Sequence, residues 1–185
     1  MISTTRKVAV LVGSLRKGAY SRLTANALAA LAPPSLQLHI VEIGQMPLYN
    51  QDDEAAVPAS WAAFRAEIKA ADAVLFVTPE YNRSVPGVLK NAIDNASRPY
   101  GANAFAGKAA GVIGVSVGAI GTAMAQQHLR NILAYLDAPT LGQPEAFIQA
   151  KEGLFDAHGE IGPANRQFLQ NWMDSYVAWV KKQAG

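Results

Sequence analysis

Cysteine is absent from this 185-residue chain. Its absence excludes disulfides, thiolate nucleophiles, zinc fingers and cysteine-held iron–sulfur clusters together, so any redox chemistry has to arrive with a cofactor. A chain without thiols also fits a reducing compartment, and the cytoplasm is the expected location. Charge is sparse as well: 16% of residues are Asp, Glu, Lys or Arg, and 16 cations against 14 anions leave a net +2. So even a balance gives no electrostatic footprint for nucleic acid or a membrane surface. Long apolar runs are missing too. The uncharged stretch Ala109–Ala125 falls short of the roughly 20 residues of a membrane helix, and its glycines break it up. At the N-terminus, Met1 to Lys7 is polar, and the apolar run Val8–Val12 is too short for a secretory signal.

What the chain does have is a sizeable core in prospect, with 50% hydrophobic residues in a length that suits one domain spanning residues 1–185. Three runs read as strands: Val8–Val12, Ala73–Val77 and Gly111–Val117. A weaker one covers Leu36–Val41, and a fifth, Ala146–Ile148, follows the broken segment Pro139–Pro144. The first and third of the strong runs are nearly continuous in apolar residues, the pattern of parallel strands covered on both faces.

Helical periodicity fills the gaps. Ser21–Leu31 aligns Leu23, Ala27 and Leu31. Ser60 is placed to cap a helix carrying Trp61, Phe64, Ile68 and Ala71. After Ser84 come Val85, Val88, Leu89, Ala92, Ile93 and Ala96, with Pro86 and Gly87 near the first turn. Ala125 to Leu136 and Phe168 to Val180 supply the last two stripes. Alternating strands and helices of this kind build an open α/β sheet with right-handed crossovers. Such sheets bind ligands at the carboxyl ends of their strands.

Three strand-end loops therefore carry the functional reading. After the first strand, Gly13 to Arg22 brings Ser14, Arg16, Lys17, Ser21 and Arg22 to a helix start. Backbone N–H groups, hydroxyls and a guanidinium there suit a phosphate, although the same residues also make an ordinary solvated basic turn. Neither a P-loop nor a dinucleotide fingerprint occurs. After the third strand, Thr78-Pro79-Glu80-Tyr81-Asn82 is stiffened by prolines and suits a planar heteroaromatic ring; a rigid turn with a half-buried Tyr81 reads equally well. After the fourth, Ser116 to Thr122 is small enough for close ligand approach, or simply for a tight turn. The combination on one edge is more specific than any single loop.

Taken together, these segments resemble the NADPH-dependent FMN reductase family, and within it the bacterial quinone and chromate reductases. The resemblance rests on Leu11-Val12-Gly13-Ser14-Leu15-Arg16-Lys17-Gly18, on Thr78-Pro79-Glu80-Tyr81-Asn82 followed by Ser84 to Asp94, and on His128-Leu129-Arg130 through Leu136-Asp137-Ala138-Pro139. It implies a flavodoxin-like three-layer α/β/α sandwich with a five-stranded parallel sheet in order 2-1-3-4-5. It also implies tightly bound FMN, with NADPH or NADH as co-substrate. Ser14, Arg16 and Ser21, with Arg22 nearby, would hold the FMN phosphate. Ser21 stands where close relatives often carry asparagine. Pro79, Glu80, Tyr81 and Asn82 would line the isoalloxazine, and Ser116 and Gly118 would flank its other side. The family further implies a homodimer or homotetramer, with Pro47-Leu48-Tyr49-Asn50-Gln51-Asp52 as a cross-subunit loop, and a small-molecule acceptor: a quinone, chromate, an azo or nitro compound, or free flavin.

No acid or base is expected to be essential beyond the flavin; Tyr81 and Asn82 are the residues expected to shape the substrate face. His39, His128 and His158 lie far apart and lack carboxylates at metal-ligand spacing; His39 on a strand and His128 on a helix read as surface or packing residues. Asp52-Asp53-Glu54 reads as a solvated acidic run. Arg98, after the third helix, is carried away from the ring edge unless a partner subunit returns it. Trp172, Tyr176 and Trp179 read as core or interface. The other reading of the fold, a non-enzymatic flavodoxin-like electron carrier, is usually markedly acidic, unlike this chain.

Overall fold

The computed structural model describes residues 5–183; residues 1–4, part of the segment read for a targeting signal, lie outside the described residues. Five parallel strands form one sheet in the order β2-β1-β3-β4-β5. The elements run β1 (Arg6–Val12), α1 (Tyr20–Leu31), β2 (Leu36–Val41), a 3-10 turn (Gln51–Ala56), α2 (Ala59–Ala70) and β3 (Ala73–Thr78). They continue as α3 (Gly87–Ala96), β4 (Ala109–Ser116), α4 (Ala123–Tyr135), β5 (Phe147–Gln149) and α5 (Pro163–Gln183). This is the flavodoxin-like sandwich and the strand order that the family resemblance implies.

Every residue of β3 is buried, which is why its run has no polar alternation. Helices α1 and α5 cover one face through Leu28, Leu31, Leu169, Trp172, Met173 and Tyr176, packed on Val10, Leu75 and Ile113. Helices α2, α3 and α4 cover the other through Phe64, Ile68, Leu89, Ile93, Leu129 and Leu133, packed on Leu11, Phe76 and Val112. Each of these large side chains contributes roughly 1.5–3 kcal/mol by leaving water. Trp172 and Tyr176 are core, and the Tyr176 hydroxyl donates to the carbonyl of Val74 at 2.8 Å across the sheet. Full burial pushes that phenol far above the ordinary tyrosine range. Trp179 is half-buried and donates from Nε1 to Pro139 O at 3.0 Å.

Two helix starts differ from the sequence expectation. Ser60 does not cap α2: the helix begins at Ala59, and Pro58 holds the cap position without a side-chain bond. Likewise α3 begins at Gly87 behind Pro86, leaving Ser84 and Val85 in the preceding loop. In both cases the fixed φ of proline already sets the chain for helix entry, so no hydroxyl is required. The fifth strand is also one residue later than expected, Phe147–Gln149, because Ile148 and Gln149 pair with Val115 and Ser116.

Candidate functional site

The loops after β1, β3 and β4 meet at one edge of the sheet. Gly13 closes the first gap: its N–H donates to Val77 O at 2.9 Å, and a Cβ at this position would lie 2.9 Å from the Pro79 ring. A side chain there would separate the two loops. Between them lies a cleft of about 180 Å³ lined by Ser14, Arg16, Tyr20, Ser21, Pro79, Glu80, Tyr81, Ser116 and Val117, among others. A larger cleft of about 390 Å³ runs along β2 and α2, where His39 and Glu67 face each other at 3.4 Å. It takes no residue from the strand-end loops, so the smaller cleft is the chemically competent one.

Helix α1 enters this cleft with unusual electrostatics. Its cap residue, Ala19, offers no side-chain bond, and its first turn holds no acidic residue. The positive end of α1 therefore has no capping side chain and no first-turn carboxylate to offset it. Ser21, only 2% exposed, has a buried hydroxyl with no hydrogen-bond partner. A buried hydroxyl left unmatched is costly unless a ligand completes it. Ser14, 6% exposed, accepts from the Arg16 N–H at 3.4 Å. Arg16 is exposed and makes no ion pair among the described residues. Arg22 stands apart from this group. Its guanidinium binds Glu42 in two bonds of 2.7 and 3.0 Å, outside the cleft. That bond holds the Glu42 carboxyl below its usual range and raises Arg22.

The loop after β3 ends in a tight turn. Tyr81 and Ser84 exchange both backbone hydrogen bonds, at 3.1 and 3.0 Å, around Asn82 and Arg83, which take φ of 52° and 63°. Two successive left-handed residues make this a type I′ turn, a conformation asparagine tolerates well. The turn leaves Tyr81 52% exposed at the cleft mouth, while Asn82 lies outside the lining. Ser84 Oγ bonds His128 Nδ1 at 3.0 Å, so the exposed His128 joins the turn to α4.

Glu80 is the residue whose role sequence reasoning missed. It lines the cleft, but its Oε2 accepts from the N–H groups of Met124 and Ala125 at 3.0 and 3.1 Å. Thr122, at the cap position of α4, is left-handed and makes no cap bond, so a carboxylate 44 residues away caps the helix instead. Nothing local in the sequence signals such a pairing. Glu80→Ala should cost about 0.5–2 kcal/mol and raise hydrogen exchange in the first turn of α4. A urea midpoint unchanged from wild type would contradict that assignment.

The end of β4 supplies Ser116 and the following loop Val117 to the lining; Gly118 lies beside it, its carbonyl accepting from Ser116 Oγ at 3.4 Å. Gln149 holds this loop in place through its amide, which donates to Val117 O at 3.2 Å. Arg98 reaches only Ser97, at 3.4 and 3.5 Å, and does not enter the cleft.

The segment around Pro47–Asp52 is tied down rather than loose. Asn91 on α3 accepts from Tyr49 N–H at 2.8 Å and donates to Pro47 O at 3.1 Å. Trp61 donates to the same carbonyl at 3.2 Å, and its ring lies 5.3 Å from that of Tyr49. Glu54 corrects the expectation of a solvated acidic run. Its side chain is 18% exposed and is gripped by Arg65 in two bonds of 2.6 and 3.1 Å, which hold the carboxyl below its usual range. Leu48, by contrast, projects at 79% exposure.

An anion-ready helix start beside an aromatic-edged cleft at the switch edge of a flavodoxin-like sheet suits a planar, phosphate-bearing cofactor of the kind a flavin oxidoreductase uses. The family model described as NADPH-dependent FMN reductase matches residues 6–153, and the chain belongs to that family. It is 54% identical over 181 residues to a quinone reductase of Pseudomonas putida, covering 97% of each chain. It is 51% identical over 176 residues to a 2-hydroxy-1,4-benzoquinone reductase of a Burkholderia species, covering 95% of this chain and 96% of that one. Among solved structures it matches FerB, a flavoenzyme NAD(P)H:(acceptor) oxidoreductase from Paracoccus denitrificans, with a TM-score of 0.92. The identity is 43%, covering 97% of this chain and 99% of that one.

The chain is accordingly an NAD(P)H-dependent oxidoreductase that uses FMN. The residues present fit that cofactor: the unmatched Ser21 hydroxyl, buried Ser14 and uncompensated Arg16 offer what a phosphate monoester needs. No helix among the described residues is long and apolar enough to cross a membrane.

Proposed function

We propose that this protein is a quinone reductase whose FMN phosphate sits at the start of α1, held by Ser14, Arg16, Ser21 and the first-turn N–H groups. The buried, unpartnered Ser21 hydroxyl beside an uncompensated arginine is the observation that carries this reading. Pro79, Glu80, Tyr81 and Ser116, lining the same cleft, border the isoalloxazine, with Asn82 and Gly118 at its margin. Arg22, committed to Glu42, makes no direct contact, and that carboxylate offsets its charge.

Bound FMN supplies hydride acceptance from the nicotinamide and delivery to an organic acceptor. The chain's own part is orientation. Gly13 lets the first and third loops approach, Glu80 locks the third loop to α4, and Tyr81 presents an aromatic edge to a flat acceptor. Nicotinamide and acceptor take the cleft mouth in turn, which gives ping-pong kinetics. Such a mouth also admits chromate, azo and nitro compounds or free flavin as slower acceptors. The unit acts as a single domain over residues 1–185 in the cytoplasm, as a homodimer or homotetramer. The firmly anchored segment bearing exposed Leu48 is the surface offered to a neighbouring subunit.

The absorption spectrum of the purified protein tests the reading. Flavin bands should bleach on adding NADPH and return on adding benzoquinone, and double-reciprocal plots at several quinone concentrations should be parallel. Intersecting lines would show that donor and acceptor bind together and would refute the shared face. Tyr81→Ala should change KM for quinone several-fold while flavin stays bound. Unaltered kinetics would remove Tyr81 from the substrate face.

A further inference from the structure

Arg16 is the one cation of the α1 loop that lines the cleft, and it carries a long, exposed side chain. Among the described residues no carboxylate holds it, in contrast to Arg22. A flexible guanidinium loses rotamer freedom when it binds an anion, so affinity depends on how far it is ordered beforehand. What lies against it is an aromatic column. The Arg16 guanidinium carbon sits 5.9 Å from the centroid of Tyr20, and the Tyr20 ring stacks on Phe155 at 6.3 Å with only 17° between planes.

Phe155 is fixed in turn. It pairs with Ile161 in an isolated antiparallel bridge, between Leu154 at 4% and Ile161 at 9% exposure. The intervening turn is closed by Asp156, whose Oδ1 accepts from the N–H groups of His158 and Glu160 at 2.8 and 2.9 Å. These bonds lower the Asp156 carboxyl pKa, with the Glu160 N–H the larger cause. Gly159 in the same turn approaches Leu23 of α1 so closely that a Cβ would lie 2.9 Å from its methyl group. The segment between β5 and α5 is therefore packed onto α1 and delivers one ring face to Tyr20.

We infer that Tyr20, braced by Phe155, is a positioning residue that preorders Arg16 over the phosphate end of the cleft. The inference rests on the phosphate assignment proposed above. The ring holds the guanidinium by cation–π attraction while leaving its N–H edge free for phosphate oxygens. A carboxylate could not do this, since it would neutralise the charge the anion needs. The β5–α5 segment, remote in sequence from the first loop, thereby acts on cofactor affinity without touching the cofactor.

The test compares FMN with riboflavin, which lacks the phosphate, by fluorescence titration of the flavin-stripped full chain. Arg16→Ala should weaken FMN roughly tenfold or more and leave riboflavin unchanged. Tyr20→Leu should weaken FMN about two- to fivefold, again sparing riboflavin, whereas Tyr20→Phe should match wild type. Phe155→Leu should fall between wild type and Tyr20→Leu. In the double variant Arg16→Ala/Tyr20→Leu, the leucine should add no further loss. Equal weakening of FMN and riboflavin by Tyr20→Leu, or additive losses in the double variant, would overturn the positioning role. Normal FMN binding by Tyr20→Leu with weakened binding by Arg16→Ala would overturn it too, while leaving the phosphate assignment standing. Unchanged FMN binding by Arg16→Ala would overturn the phosphate assignment itself, and the inference with it.

Discussion

Gly114→Ala is expected to lower stability by about 3 kcal/mol or more, enough to leave much of the protein unfolded at moderate temperature. Gly114 lies inside β4 between Thr78 and Phe147 of its neighbouring strands. A Cβ there would collide with the Thr122 hydroxyl and come within 2.7 Å of the Thr78 carbonyl and 2.9 Å of the Gln126 amide. These neighbours cannot yield cheaply. Thr122 and Gln126 are buried, and the Gln126 amide donates to Thr122 Oγ1 at 3.0 Å and to Ala146 O at 2.8 Å. One added methyl thus forces overpacking and breaks a buried polar contact, each costing about 1–3 kcal/mol. Because Thr122 precedes α4 and Glu80 caps that helix, the cleft wall should shift and flavin retention should fall. Gly142→Ala, where a Cβ meets nothing within 4 Å, serves as the control and should stay within about 0.5 kcal/mol of wild type. Urea unfolding of both variants decides the point; a loss below about 1 kcal/mol for Gly114→Ala would refute the packing argument.

Trp61→Ala should cost about 3–5 kcal/mol, the usual range for a large aromatic removed from a core. Trp61 is fully buried, and beyond its area it links three things at once. Its Nε1 donates to Pro47 O, its ring packs on Tyr49, and the Arg65 guanidinium lies 5.5 Å over it. Arg65 is also the partner of Glu54 and donates from Nε to Asn95 O at 2.9 Å. Losing the indole should therefore release the whole 47–56 segment, visible as new protease sensitivity there. Trp61→Phe keeps a ring but leaves Pro47 O with Asn91 alone, so a smaller loss of about 1–2 kcal/mol is expected. Equal stability of wild type and Trp61→Ala, or protection of 47–56 in the alanine variant, would show that the segment is held by Asn91 without the tryptophan.

Much of the architecture was legible from the residues because the relevant forces are short-range or periodic. Strands buried on both faces must be apolar throughout, as Ala73–Val77 is, and amphipathic stripes such as Leu89, Ala92, Ile93 and Ala96 must face a core. The same holds for where the candidate site lies: Ser14, Arg16, Pro79 and Tyr81 sit in strand-end loops, Ser21 in the first turn of α1 and Ser116 at the end of β4, and all six line one cleft. Misplaced helix starts at α2 and α3 reflect local competition between hydroxyl caps and proline, which proline won.

Partners far apart in the chain were not legible. Local sequence offers Arg22 to a phosphate, whereas its guanidinium is held by Glu42; it presents Glu54 as solvated, whereas Arg65 grips it. Glu80 carries no local mark of being the cap of a helix 44 residues on. Nor does Phe155 announce that it will back a ring beside Arg16.

The sequence by itself determined the alternation of strands and helices and the loops that bear the chemistry, and with zero cysteines it ruled out thiol-based redox chemistry. Only the tertiary structure decided which charges are free and which are already matched. The reason is physical: whether an arginine serves a ligand depends on the nearest carboxylate in space, and Coulomb and hydrogen-bond energies fall off over a few ångströms regardless of separation along the chain.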